Sequence, residues 1–273
     1  MASTSAAGTA KKARAGPTPT MENSPLKWRE EDFNALSTNF DFDGDWGAEY
    51  PAKDSTVAKV PEGKIALYAD FFTGVNFRLP VTKFLRDILG YFGLHITQLH
   101  PMGMACIKHF EFCCRALGIE LMVGRFRCFY KLAAQGNWYS FNRRSGVKPH
   151  AGLPPRSLHD WRGKFFYINE GVIPFTMSWR TESAREVDPP AFTADEEWFV
   201  KLTELPGDLK SLPEHALVVV GMSRLWEQPD RFPILLWKGE GKLPFLFCVY
   251  FSPSLINANC LPVFRGKHVW CLV

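Results

Sequence analysis

The chain has 273 residues, of which 46% are hydrophobic and 14% aromatic, and its formal net charge at pH 7 is +4. This length and ring content fit one large domain, or two modest ones, with a real hydrophobic core, and they exclude a wholly disordered chain. The longest apolar run, residues 243–251, is half as long as the about 18 residues that a spanning helix needs, so we predict no membrane partner.

Residues 1–24 are rich in Ser, Thr and Ala, contain three basic residues and have Glu22 as their only acid. We predict a disordered basic tail, which is a solvated end, a nuclear-import signal or an organellar transit peptide. The seven cysteines are irregularly spaced and no secretory signal precedes them, which indicates reduced thiols inside the cell. The predicted location is the nucleus or the cytoplasm, with plastid or mitochondrial import as the alternative.

A domain core is predicted over residues 25–180. Ser24 followed by Pro25 is typical of a helix start. Three apolar residues would form the buried side of that helix: Trp28, Phe33 and Leu36. An acidic loop over 39–60 and a short apolar segment over 63–72 follow.

Two longer helices are predicted next. Pro80 opens a helix over 80–92, in which apolar side chains recur at helical spacing: Val81, Phe84, Leu85, Ile88 and Phe92. A second helix over 102–117 follows Pro101, and Gly118 occupies the position of a left-handed C-cap. Because the connection is short, the two helices should form an antiparallel hairpin.

The apolar period then changes from a helical spacing to an alternation. Over 125–132 every second residue is apolar, which predicts a half-buried strand with a basic outer face. A turn at 135–137 leads into a second strand over 138–141. Residues 164–169 and 172–179 are predicted to form another strand pair.

The remainder, over 181–255, is predicted to continue the same domain and to be mainly helical, after a Pro-rich linker near 181–192. Residues 216–226 fit either a helix or a strand, and 256–273 are predicted to be irregular. Two residue pairs are typical of capped helix starts: Thr193 with Glu196, and Ser211 with Glu214. The predicted fold class is α+β, an antiparallel helical hairpin packed on short antiparallel strands, with a second helical part after the linker.

Several landmarks of the chain recur together in a known plant family. They are Phe77-Arg78-Leu79-Pro80 before a helix, Gln98-Leu99 with Pro101, Phe110–Cys114 before Gly118, Phe126–Tyr130, Trp138–Phe141, Pro174–Trp179 and Val220–Arg224. Over about residues 28–237 the chain resembles the plant gypsy-type transposon domain, often labelled a transposase. The resemblance implies a product or relic of a gypsy-type retroelement, without established chemistry, and residues 256–273 depart from its pattern.

No complete catalytic motif is found, so we predict no catalytic residue, no cofactor and no metal site. The acids that an integrase-type enzyme would need are scattered and have no other signal: Asp70, Asp87 and Glu111. The acids within 41–45 lack the glycine and the glutamate that complete a calcium loop. Three possible zinc ligands share a helix face, but two of them lie on its apolar stripe: Cys106, His109 and Cys113.

The charge distribution is more informative than the total. From Leu121 to Lys164 there are nine basic residues and one acid, a net charge of +8, whereas 28–62 and 182–204 carry −6 and −5. Basic residues can neutralise phosphates and exposed rings among them can stack on bases; alternatively, the rings are core and the cations form a solvated face. The candidate nucleic-acid-binding residues are Arg125, Arg127, Lys131, Arg143, Arg144, Lys148, Arg162 and Lys164.

We therefore predict a retroelement-derived, non-enzymatic assembly or nucleic-acid-associated domain of Gag-like character. Its expected partners are RNA or DNA, bound without sequence preference, and further copies of the chain, because its basic and acidic segments can pair between molecules. The alternatives are a transposase- or integrase-type enzyme acting on element DNA, and a decayed relic without function.

Overall fold

The computed structural model describes residues 20–42, 44–147, 158–184, 188, 190–193, 195–204, 214–223 and 225, and the backbone of two strands within 261–272. The helices and strands are, in chain order, α1 (Glu30–Asn39), β1 (Lys64–Tyr68), α2 (Ala69–Gly74), α3 (Lys83–Phe92), α4 (Pro101–Ala116), α5 (Val123–Phe129), β2 (Tyr130–Gln135), β3 (Trp138–Arg143), β4 (Phe165–Asn169), α6 (Glu197–Glu204), α7 (Glu214–Val219), β5 (Leu261–Arg265) and β6 (His268–Leu272). Helices combined with small antiparallel strand pairs confirm the predicted α+β class.

The described chain before α1 is not helical, and part of it contacts the rest of the fold. The first helix begins at Glu30 and not at Ser24 as predicted, because Pro25 forms a β-bridge with Thr56 and so holds this stretch against a neighbouring loop. The last residues of the predicted tail are folded as well, since Met21 is buried in the core. The rest of that tail lies outside the described residues.

The apolar segment predicted over 63–72 forms β1 and α2. β1 pairs antiparallel with β4, with Ala66 opposite Tyr167. The predicted pairing of 164–169 with 172–179 is therefore wrong, because a 3-10 turn occupies 170–172 and no strand follows it up to residue 179. Burial gives the reason: β4 is apolar on both faces, and β1 provides an equally buried neighbour.

Helices α3 and α4 form the centre of the core. Thr82 caps α3 by accepting a hydrogen bond from the Leu85 amide. The Phe84 ring near the start of α3 stacks on the Phe110 ring in the second half of α4, with centroids 5.7 Å apart, which is a contact that the predicted antiparallel hairpin requires. Gly118 has the predicted left-handed conformation, with φ of +66°.

The basic segment after α4 is a helix where the sequence predicted a strand. Val123–Phe129 is α5, and β2 begins only at Tyr130. The pattern is ambiguous, because residues 126, 129 and 130 fit a helical spacing while 126, 128 and 130 fit a strand. Tertiary packing decides for the helix, since the Phe126 ring lies between 4.9 and 6.2 Å from three rings of the surrounding elements: Phe84, Phe110 and Phe141.

β2 and β3 form the predicted hairpin, in which Lys131 lies opposite Asn142. Helix α4 approaches this hairpin closely. A Cβ atom at Gly103 would lie 3.0 Å from the Cα of Ser140, so a larger residue would force the helix away from β3. The hairpin is thus held against the helical centre of the core.

The second helical part, predicted after the linker, begins with α6. The Thr193 amide donates to the Glu196 carboxylate at 3.1 Å, which is one of the two hydrogen bonds of the predicted capping box. α6 packs on α5 through the Phe199 ring, which stacks on Phe129 with centroids 5.0 Å apart.

The segment over 216–226 fitted either a helix or a strand. Its first residues, 216–219, belong to α7 and are helical. Near the C-terminus, β5 and β6 pair antiparallel, although the sequence predicted an irregular end there.

Two networks of buried charge fix α4 and α7 in the core. The Arg78 guanidinium donates from Nε and Nη2 to the Glu214 carboxylate, with 2.5 Å between Nη2 and Oε2, and Arg78 is only 3% exposed. Lys108 and Arg115 donate to Glu111, with N–O distances of 2.7 and 2.9 Å. Burial by itself raises the pKa of Glu111, but these two cations outweigh it and lower the pKa.

Candidate nucleic-acid interface

Helix α5 carries two of the predicted nucleic-acid-binding residues, and both guanidinium groups lie on aromatic rings. Arg127 lies 4.8 Å from the centre of the Tyr91 ring, and its Nη2 donates to the Asp188 carbonyl at 2.7 Å. Arg125 lies 5.3 Å from the centre of the Trp198 ring. Ring contact uses the flat face of a guanidinium, whereas a phosphate binds its edge, so the two contacts are compatible.

Two further predicted residues lie where β3 ends, next to α5. Arg143 is exposed. The Arg144 amide donates to the Phe129 carbonyl at 2.8 Å, and its Nε donates to the Arg127 carbonyl at 2.7 Å. Lys131 is half-buried in the neighbouring strand β2. The structure therefore brings together Arg127, Arg143 and Arg144, whereas Arg125, two positions earlier on α5, lies against Trp198 of α6 and next to Glu120.

Arg162 and Lys164 belong to a different part of the molecule. The Arg162 guanidinium lies 5.0 Å from the ring of Trp138, which is the first residue of β3, whereas Arg143 is the last. Six strand residues separate their ends by about 17 Å. The predicted residues thus form two groups, and Lys148 lies outside the described residues.

The rings interleaved with these cations are core residues. None of the seven is more than 8% exposed: Phe126, Phe129, Tyr130, Trp138, Tyr139, Phe141 and Trp161. They are not available for stacking on bases, and for the rings the core alternative is correct.

Two other rings are exposed, and one of them, Tyr91, lies beside Arg127. Tyr91 is 49% and Trp179 is 44% exposed, and no other Phe, Tyr or Trp is exposed among the residues whose burial is described. Sequence reasoning missed both. Tyr91 had a signal, because it follows Lys83 and Asp87 at four-residue intervals on the polar side of α3. Trp179 lies in a segment without periodicity, so the sequence carried no signal for its exposure.

Contacts at the C-terminal end of α3 connect the two rings. Arg180 donates from Nη1 to the carbonyl of Phe92, the neighbour of Tyr91, at 2.6 Å. Trp179 stacks on the His95 imidazole, with centroids 4.8 Å apart and an interplanar angle of 6°. We name the following residues the aromatic–basic surface: Tyr91, Arg127, Arg143, Arg144, Trp179 and Arg180.

Described residues of the acidic segment over 182–204 contact this surface at Arg180 and at Arg127. A carboxylate oxygen of Glu182 is 3.9 Å from Arg180 Nη2, but the Glu182 side chain is 77% exposed, so solvent screens the pair. Arg127 contacts the backbone carbonyl of Asp188, which carries no charge. Neither contact cancels the charge of its arginine, so Arg127 and Arg180 keep an attraction for polyanions.

Two of the three acids considered for catalysis have structural partners, whereas Asp70 has a buried carboxylate oxygen without a hydrogen-bond partner among the described residues, and burial raises its pKa. Glu111 is enclosed by two basic side chains, and Asp87 accepts a hydrogen bond from a lysine on the surface of α3. Burial raises the pKa of Cys106 and of Cys113 to about 12, so both thiols are protonated at neutral pH. Within the described part of the chain, no three His, Cys, Asp or Glu side chains are grouped as a metal site requires.

Two buried histidines occupy helix starts in this region. His95 Nδ1 accepts from the Thr97 amide at 3.2 Å, and His100 Nδ1 accepts from the Met102 amide at 3.0 Å. Burial lowers the pKa of each imidazole to about 4, and the charge of Arg162 adds to this effect at His100. Both rings are therefore neutral in the folded protein at neutral pH.

We expect the free energy of unfolding to decrease as the pH falls from about 6.5 to about 4. The unfolded chain binds protons at these histidines near pH 6.5 and the folded protein only near pH 4, so below about pH 6.5 each histidine lowers the free energy of unfolding, by on the order of 3 kcal/mol once the pH reaches about 4. Urea unfolding at a series of pH values measures this loss. The His95→Asn/His100→Asn variant keeps both capping acceptors and should be less sensitive to pH between 7 and 5; an unchanged pH dependence would contradict the assignment.

A family model described as "Putative gypsy type transposon" matches residues 66–134. The match contains α2 to α5, including Tyr91 and Arg127 of the aromatic–basic surface, and it confirms the resemblance over these residues. No curated protein and no solved structure matches the chain. Among the described helices, none combines the length and the apolar character that a bilayer crossing demands.

Proposed function

On the premise that residues 66–134 carry a gypsy-type transposon-related domain, we propose that this chain is a retroelement-derived, non-enzymatic protein that associates with single-stranded nucleic acid. Its role is of the Gag-like kind, in which many copies assemble on one strand. The observation that carries the proposal is the aromatic–basic surface, where the exposed Tyr91 ring lies against Arg127 and the exposed Trp179 adjoins Arg180, which bonds to the end of α3.

The chemistry of this surface suits unpaired strands. Arginines attract the phosphate backbone and release its counterions, which gives affinity without sequence preference. Exposed rings stack on bases, and only unpaired bases have a free face. We therefore expect single-stranded RNA or DNA to bind more tightly than a duplex, and RNA to be the natural partner of an element that assembles on its transcript.

Assembly also needs contacts between copies. The first turn of α1 carries Glu30, Glu31 and Asp32 on the exposed side of the protein, and it is the most acidic helix start among the described elements. Pairing of such a turn with the arginines of another copy would be weak in free solution and favoured on a shared strand, where the local concentration is high. Self-association is thus proposed as a consequence of strand binding.

Fluorescence anisotropy with a labelled single-stranded RNA of about 20 nucleotides, titrated over a range of salt concentrations, tests the proposal. We expect measurable binding at low salt and a steep linear decrease of log K with log salt concentration. The Arg127→Gln/Arg143→Gln/Arg144→Gln variant should lower the steepness of that slope by about 2, since each single-strand phosphate contact contributes about 0.7.

The matched control is Arg86→Gln, which removes an arginine from the exposed side of α3 outside the surface and should leave the slope unchanged. Thermal melting of each variant verifies that it is folded. Absence of binding at low salt, or equal affinities of the triple variant and the wild type, would refute the proposal.

A further inference from the structure

A second polar site lies away from the aromatic–basic surface. A pocket of about 320 Å³ lies between the start of the described chain and the turn before β4, and its wall includes Asn23, Ser24, Lys27, Asp160, Arg162 and Gly163. Its size is at the lower end of the range for small-molecule sites, about 300–1,000 Å³.

Arg162 is held rigidly at this pocket. Its guanidinium lies 4.9 Å from the centre of the Trp161 ring and 5.0 Å from that of Trp138, and both tryptophans are buried. Its Nε is a buried donor without a hydrogen-bond partner among the described residues. A buried donor of this kind costs free energy unless a ligand or a water molecule accepts its hydrogen bond.

Lys27 and Gly163, which also line this pocket, approach each other closely through their backbones. The Lys27 amide donates to the Gly163 carbonyl at 2.8 Å, and a Cβ atom at Gly163 would lie 2.7 Å from the Cβ of Lys27. Only glycine permits this approach, so the backbone sets the separation between Lys27 and Arg162. Two cations from distant parts of the sequence therefore border one small volume.

Asp160 adds an acceptor beside the two cations, in a left-handed conformation with φ of +57°. Two cations attract a phosphate dianion, whereas a lone carboxylate beside them repels it unless it binds another part of the same ligand. The hydroxyl groups of a ribose are hydrogen-bond donors, which a carboxylate accepts. We propose that this pocket binds the phosphomonoester of a ribonucleotide, with Lys27 and Arg162 on the phosphate and Asp160 on the sugar hydroxyls.

Isothermal titration calorimetry of the full chain with AMP, adenosine and inorganic phosphate tests this site. We expect AMP to bind more tightly than either fragment. Lys27→Ala, at an exposed position that keeps its backbone contact, should weaken AMP binding about tenfold or more. Asp160→Asn tolerates the left-handed conformation and should reduce the preference for AMP over inorganic phosphate.

The phosphomonoester could belong to the end of an RNA strand or to a free nucleotide. A pair of oligoribonucleotides, one with a 5′-phosphate and one with a 5′-hydroxyl, distinguishes these two sources. Tighter binding of the phosphorylated strand, lost in Lys27→Ala, assigns the end of an RNA strand. Equal binding of the two strands together with AMP binding assigns a free nucleotide.

The site is independent of the proposed function, and its test keeps the two apart. The Arg127→Gln/Arg143→Gln/Arg144→Gln variant should retain the AMP affinity of the wild type, and the control Lys83→Ala, on the exposed side of α3, should do the same. Absence of AMP binding, or equal AMP affinity of Lys27→Ala and the wild type, would overturn the inference whatever the strand-binding result.

Discussion

Replacement of Glu214 by alanine should lower the free energy of unfolding by about 3–5 kcal/mol, because it leaves the Arg78 charge buried without its partner. The Glu214 carboxylate accepts from Nε and Nη2 of Arg78 and also from the Ser223 hydroxyl. Arg78 has no route to solvent, since its Nη1 is held by the carbonyls of Phe72 and Phe77. Urea or thermal unfolding measures the loss.

The matched control is Glu197→Ala in α6. Glu197 also forms an ion pair with a basic residue, Lys201, but both side chains are largely exposed and solvent screens the pair, so the expected loss is much smaller than that of Glu214→Ala. Glu214→Gln keeps one acceptor oxygen and should give an intermediate loss. Wild-type-like unfolding of Glu214→Ala would mean that α7 is not docked on Arg78 in solution.

Removal of either exposed ring should weaken binding of single-stranded RNA. Stacking of one base on an aromatic side chain contributes about 1–3 kcal/mol, so Tyr91→Ala and Trp179→Ala should each reduce the affinity between about 5-fold and 150-fold. Tyr91→Phe keeps the ring and should bind nearly as the wild type does. Salt titration separates the two contributions, since loss of a ring lowers the affinity without changing the slope that the arginines set.

Leucine variants at the same two positions test whether the flat ring, and not only the size of the side chain, is needed for binding. Tyr91→Leu and Trp179→Leu keep an apolar side chain at each site and lose the flat ring face, so they should bind like the alanine variants. Met122→Ala removes an exposed apolar side chain outside the surface and should leave the affinity unchanged. Affinities of the ring variants equal to that of the wild type would show that the bound strand does not lie on these rings.

The helical core was predictable because its signals are local and consistent. The apolar stripe of α3, the helix start at Pro101 and the left-handed Gly118 depend on sequence spacing alone. The hairpin of β2 with β3 was also predictable from its turn residues.

The elements that were predicted wrongly depend on distant partners. α5 is helical because the Phe126 ring is surrounded by rings from three other elements, which the sequence of 125–132 does not reveal. β4 pairs with β1, about 100 residues earlier, and not with the adjacent segment. Long-range choices of this kind cannot be read from local periodicity.

The same limit applies to the candidate interface. The sequence located the cations and left open whether the rings among them are exposed or core, and tertiary packing buries all of them. Tyr91 and Trp179 come from segments about 35–50 residues away from those arginines in the sequence, and only the contacts of Arg127 and Arg180 reveal their proximity. Buried charge such as that of Glu111 likewise has no signature beyond its neighbours Lys108 and Arg115.

The most direct measurement of the central claim is ultraviolet cross-linking of the wild-type chain to a single-stranded RNA, with the modified residues identified by mass spectrometry. The account predicts cross-links at Tyr91 and Trp179, lost at high salt and in the Arg127→Gln/Arg143→Gln/Arg144→Gln variant. Cross-links confined to other parts of the chain, with both of these rings unmodified, would contradict it.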